Sequence, residues 1–192
     1  MRLLALCFLF LLSCQQKKLT IDRTINFQDR GLDEFDSQYF SEAFDKLKLK
    51  RPRLTKNGNQ LYRLTVIPSL HELSYSIAIM KSDSSDSIDF RVLDESNGLL
   101  TINKKQINDT DSLEFYLNRS MVWELQDSLN MCNGSDGTYY IYESYDFQKN
   151  NIVFRWSPQL CKVQYVNEFL ELIDYQKSLV KSIPSSSIVE LW

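Results

Sequence analysis

Five side chains in the second half of the chain have types and spacing suited to holding a charged ligand: Trp123, Asp136, Glu143, Arg155 and Trp156. The two final strands can bring Glu143 near Arg155, and a guanidinium paired with a carboxylate over an indole face is a common binding arrangement. Two carboxylates such as Asp136 and Glu143 also perform acid–base work when their surroundings separate their pKa values. The same set serves equally to pin a hairpin to a helix, and that structural role is the preferred reading. The single histidine, His71, stands beside Glu72, where a turn-capping role is expected before an acid–base one. With one histidine and no Cys-x-x-Cys pair, no zinc site is expected. Asp83, Asp86 and Asp89 recur at three-residue intervals, and Asp136 sits between glycines, but the alternating ligands and closing glutamate of a calcium loop are missing. No serine lies in a Gly-x-Ser-x-Gly setting, and five glycines leave little material for a phosphate loop. No catalytic residue, metal or cofactor is therefore assigned, and the chain is not expected to be an enzyme.

The elements that must position these groups follow from hydrophobic period. Phe40, Ala43, Phe44 and Leu47, with Phe35 and Tyr39 on neighbouring turns, form an i, i+3, i+4, i+7 stripe, which predicts an amphipathic helix over 33–47. Alternation at 61–67, 74–80 and 88–93 predicts antiparallel strands with one buried face, and Asn97-Gly98 introduces a further strand at 99–104. Asp111 with Glu114 has the form of a capping box, with aspartate in place of serine or threonine, and opens a helix over 112–121. Strands at 138–145 and 151–156 carry most of the tyrosines of this half. Pro158 then breaks the ladder, and Val163, Val166, Leu170 and Ile173 predict a last helix. The order α-β-β-β-β-α-β-β-α, with strands in hairpins, predicts a single α+β domain of two layers with its helices on one face.

At the N-terminus, Met1-Arg2 supplies one positive charge before an apolar run from Leu3 to Leu12 that ends in Ser13 and Cys14. This is the pattern of a cleaved secretory signal, and the run is shorter than the about 20 residues a membrane span needs. Leu11-Leu12-Ser13-Cys14 resembles the lipobox of bacterial lipoproteins, which implies cleavage before Cys14 and acylation of that residue. Residues 1–13 are then signal peptide, 14–30 a lipidated tether, and 31–192 a single domain. Lys17 and Lys18 after the cysteine do not resemble a surface-export signal, so the domain is expected in the cell envelope, facing the periplasm. Removing Arg2 from the 22 basic residues leaves 21 against 25 acidic and takes the formal charge from −3 to −4. Nothing in that balance suggests nucleic acid, which needs a clustered basic surface. The basic residues between Lys46 and Arg53 read as a solvated strand or linker, with an acidic membrane surface as the alternative.

With Cys7 lost in the signal and Cys14 acylated, Cys132 and Cys161 remain. In an oxidising compartment the pair favours a disulfide, which contributes roughly 3.6 kcal/mol in the chain-entropy account. Two separate buried thiols are the alternative.

Trp123, Gly134-Ser-Asp136-Gly137, Glu143, Arg155-Trp156-Ser157-Pro158 and Phe169-Leu170-Glu171-Leu172 together resemble an uncharacterised family of small bacterial proteins. There a Trp segment, an Asp-Gly turn, a strand ending in Glu, an Arg-Trp-Ser-Pro element and a leucine-rich helix recur in this order. The resemblance implies a single domain and brings no activity. The sequence thus predicts a membrane-anchored envelope lipoprotein that acts as a non-catalytic interaction or accessory module with an envelope protein partner. An inhibitor or immunity-type protein is the alternative, and a hydrolase using Asp136, Glu143 or His71 the third.

Overall fold

The computed structural model describes residues 34–50, 59–69, 73–107, 111–127, 137–160 and 164–181. Outside them lie residues 1–33, where the signal and tether are expected, with Cys14, and also His71, Cys132, Asp136, Cys161 and the segment 182–192. The elements are α1 (Glu34–Lys46), β1 (Gln60–Pro68), β2 (Leu73–Lys81), β3 (Asp86–Asp94), β4 (Leu99–Ile107), α2 (Asp111–Arg119), β5 (Thr138–Tyr145), β6 (Asn150–Trp156) and α3 (Val166–Lys181). The class is α+β and the order is the one the periodicities predict. All strands join one antiparallel sheet in the order β4-β3-β2-β1-β5-β6.

The placing of the helices differs from expectation. On one face Tyr62, Ile77, Phe90 and Tyr142 meet Leu113 and Leu117 of α2 and Phe169, Leu172 and Val180 of α3 in a single core. On the other face Leu61, Ile67, Ile141 and Phe154 meet Phe40, Ala43 and Phe44 of α1 in a second core. The sheet is therefore packed on both sides, and the two-layer arrangement with helices on one face is corrected. The cause is non-local: pairing with β5 as well as β2 puts β1 in the middle of the sheet. Every β1 residue after Gln60 is accordingly buried. α1 lies against β1, β5 and β6, and the face of β3 and β4 beyond its end is not part of that core.

α1 ends in a Schellman turn. Leu49 N–H donates to Phe44 O at 3.0 Å and Lys48 N–H to Asp45 O at 2.9 Å, with Lys48 at φ 53°. A non-glycine residue in that region carries strain, so something must hold it there. α2 ends likewise at Met121, φ 50°, with Val122 N–H on Leu117 O at 3.3 Å. The segment after it covers the outer edge of β6: Asn151 Nδ2 donates to Val122 O and Leu125 O, and Phe154 N–H to Asp127 Oδ1. β4 forms the opposite edge, where Lys104 and Lys105 discourage pairing with another strand. Among the described residues no helix is long and apolar enough to cross a membrane.

Candidate functional site

The sheet divides the cluster expected from the sequence. Glu143 stands opposite Ile152 and Arg155 opposite Tyr140, so the two side chains leave β5 and β6 on opposite faces. Glu143 does not meet Arg155, and that pairing is corrected. Arg155 points into the α2–α3 side, where both terminal nitrogens donate to Gln164 O at 3.1 Å and the guanidinium lies 4.9 Å from the Phe169 ring centre. Burial lowers its pKa, partly offset by Asp127. It secures the turn leading into α3. Trp123 lies on the same side, edge-on to Tyr62 at 5.9 Å, with Lys149 Nζ 4.3 Å above its ring. Trp156 lies on the α1 side beside Gly137, where an added Cβ would overlap the indole. Ser157 closes the hairpin, donating its N–H to Thr138 O at 2.8 Å and accepting Thr138 N–H on its Oγ at 3.0 Å. Asp136 lies outside the described residues.

Glu143 instead belongs to a row of charges running straight across the α1 face. In register it stands opposite Arg63, Arg63 opposite Ala78, Ala78 opposite Asp89 and Asp89 opposite Lys104. Arg63 binds Glu143 through two parallel bonds, Nε to Oε2 and Nη2 to Oε1, and Glu143 is fully buried. Tyr145 Oη donates to the same carboxylate at 3.0 Å, and the Phe44 ring centre lies 5.8 Å from the guanidinium. Burial works against the Arg63 charge, but Glu143 outweighs it and leaves the pKa raised.

Two arginines hold the turn that ends α1. Arg63 Nη1 donates to Lys50 O at 2.9 Å. Arg91 Nη1 donates to Leu47 O at 3.0 Å and to Lys48 O, while its Nε and Nη2 bind both oxygens of Asp89 at 2.9 Å. A cation on the last carbonyls of a helix also complements the negative end of its dipole. These bonds hold Lys48 in its left-handed conformation. Lys104 Nζ reaches Asp89 Oδ2 at 3.3 Å.

Beneath this turn, at the gap in the row left by Ala78, lies a cleft of about 330 Å³. Lys50, Arg63, Asp89, Arg91 and Lys104 supply its charges, and Leu49, Leu61 and Met80 its apolar wall. Sequence reasoning missed Arg63 and Arg91. For Arg91 the sequence carried no signal, because it alternates with Ile88, Phe90 and Val92 as an outward residue does, and for Arg63 the only hint was a charge inside an otherwise largely apolar strand. Two of the aspartates considered for calcium have other work: Asp86 Oδ1 accepts Ser82 N–H at 2.9 Å in the hairpin turn, and Asp89 belongs to the clamp. Among the described residues no three His, Cys, Asp or Glu side chains are grouped to hold a metal ion.

Burial raises the Asp89 carboxyl, but the hydrogen bonds and charges of Arg91 and Lys104 more than reverse this and leave its pKa below the ordinary 3.8. A lowered folded pKa contributes stability above that ordinary value, and the contribution is lost as pH falls through the folded value. Asp89→Asn is thus expected to lower the melting temperature at about pH 6, with the gap to the parent closing toward about pH 2. Melting curves across that range check it, and a gap that persists undiminished at the acid end would refute the assignment.

A second, open groove lies on the outer surface between α2 and α3, where Tyr116 and Tyr175 stack at 4.8 Å and Arg119 pairs with Glu171 at 3.2 Å. Its one cation, Arg119, is outnumbered by Glu171 and Asp174, so it lacks the cleft's cationic surplus. Comparison of the chain with protein-family models, with curated proteins and with solved structures returns no match.

Proposed function

We propose that the chain is a lipid-anchored module of a bacterial cell envelope that binds rather than catalyses, with the cleft beneath the α1–β1 turn as its recognition surface. The observation that carries this reading is the double arginine clamp. Arg63 and Arg91 are each bound in parallel to a carboxylate and also to backbone carbonyls of the turn. Charged groups fixed in this way present a preorganised surface, which favours recognition. They are poorly suited to proton transfer, because an arginine keeps its proton and Asp89 is held ionised by its partners.

The anchor rests on Leu11-Leu12-Ser13-Cys14. Acyl chains on Cys14 contribute about 0.8 kcal/mol per buried methylene, enough with more than one chain for stable attachment. Cells fed a labelled fatty acid are expected to incorporate it into the parent, and Cys14→Ala to accumulate as a larger, unlabelled precursor that keeps the Leu3–Leu12 run. Unchanged size and label in the variant would remove the lipoprotein reading.

A further inference from the structure

We propose that the cleft over Ala78 binds a small organic anion with one oxyanion head and a short apolar body, an assignment that rests on the cleft being the recognition surface. In the row Glu143, Arg63, Ala78, Asp89, Lys104, every position but Ala78 carries a charged side chain. The methyl group of Ala78 leaves room above the sheet that its neighbours do not fill. They are held back from it: Arg63 is tied to Glu143 and Lys50 O, and Arg91 to Asp89 and the carbonyls of Leu47 and Lys48. The space that results, about 330 Å³, falls at the small end of the range for small-molecule sites.

Charge selects the head of the ligand. Lys50, Arg63, Arg91 and Lys104 bring four positive charges to the cleft, against the carboxylates of Glu143 and Asp89. The surplus favours an anion, and hydrogen bonds between an ionised donor and an oxyanion are the strong ones. The wall selects the body, since Leu49, Leu61 and Met80 offer apolar surface beside those cations. A purely inorganic anion leaves that wall in contact with water, and an uncharged alkyl chain leaves the cations unanswered.

The test uses the full chain in phosphatidylcholine nanodiscs, with backbone amide shifts followed by NMR during titration with hexanoate, hexyl phosphate, inorganic phosphate and 1-hexanol. Hexanoate or hexyl phosphate is expected to shift the amides of Ala78, Asp89 and Lys104 saturably, and to bind at least about tenfold more tightly than inorganic phosphate or hexanol. The two active probes distinguish a carboxylate head from a phosphate head. Lys104, with its side chain 69% exposed, tolerates loss of its charge while Arg91 keeps both oxygens of Asp89, and Lys104→Gln is expected to weaken binding at least about tenfold. Ala78→Leu fills the gap and is expected to abolish binding. If inorganic phosphate or hexanol binds the cleft as tightly as the two-part probes, the ligand class is wrong while the cleft stands as a recognition surface. If no probe shifts the cleft amides, or the shifts survive both substitutions, the cleft is not a recognition surface at all. Size and acyl labelling of Cys14→Ala report on the anchor independently of either result.

Discussion

Glu143→Ala is expected to destabilise the domain by about 3–5 kcal/mol, the usual cost of breaking a buried ion pair from one side. Arg63 is 5% exposed, and the substitution leaves its guanidinium beneath Phe44 with only Lys50 O among its present acceptors. Tyr145 Oη loses its carboxylate acceptor as well. The cost comes from the uncompensated charge more than from the lost attraction, so a second change discriminates. Replacing both partners, Arg63→Met with Glu143→Leu, is expected to recover most of the loss, because an apolar pair of similar volume carries no desolvation penalty. Urea denaturation of the parent, the single variant and the double variant provides the measurement. A single variant within about 1 kcal/mol of the parent would mean that water reaches Arg63, contrary to its burial.

The same pair shows what local patterns reveal and what they leave hidden. All six strands were legible because period-two alternation and turn residues are local signals, and β5 and β6 fall where the tyrosine-rich runs predict. The partnership of Glu143 was not legible, because the facing of the two strands turns on one residue of loop length: strands at 138–145 and 151–156 leave five residues between them, and the structure leaves four. β5 and β6 are joined by the four residues 146–149, turned by Asp146 Oδ1 accepting from Gln148 and Lys149 N–H. Any even-numbered loop places two odd-numbered residues of such a hairpin on opposite faces, so Glu143 and Arg155 were never positioned to meet. That Arg63 takes the place of Arg155 depends on β1 inserting between β2 and β5, a pairing across 80 residues that no local period encodes. The α1 stripe was equally plain, but nothing in it said which face of the sheet it covers. The position of α1 follows from Leu61, Ile67, Ile141 and Phe154, whose shared face exists only once β1 and β5 are neighbours.

Phe40→Ala is expected to cost about 3–5 kcal/mol as a large aromatic removed from a core, and also to show that the cleft depends on packing distant from it. Phe40 is fully buried, with its ring centre 4.8 Å from Tyr139 and 6.0 Å from Phe154. Those contacts hold the middle of α1 on the β5–β6 side of the sheet, while the arginine clamp holds its C-terminal turn on the β1–β3 side. Loss of the ring leaves the helix attached mainly through Ala43, Phe44 and that turn, all toward its C-terminal half. Hydrogen exchange should therefore quicken across 37–46 more than in β1–β3, because local openings follow local packing. Leu49 and Lys50, which form the roof of the cleft, follow α1 directly in the chain. Hexanoate binding is accordingly expected to weaken although no cleft residue has changed, since a looser roof raises the ordering cost paid on binding. Arg91→Met loosens the same roof from its other end, and the two variants are expected to share the binding defect while differing in exchange across 37–46. Uniformly faster exchange throughout the sheet in Phe40→Ala would instead show that α1 and the sheet open as one unit, and the separate attachment of the two ends of the helix would have to be abandoned.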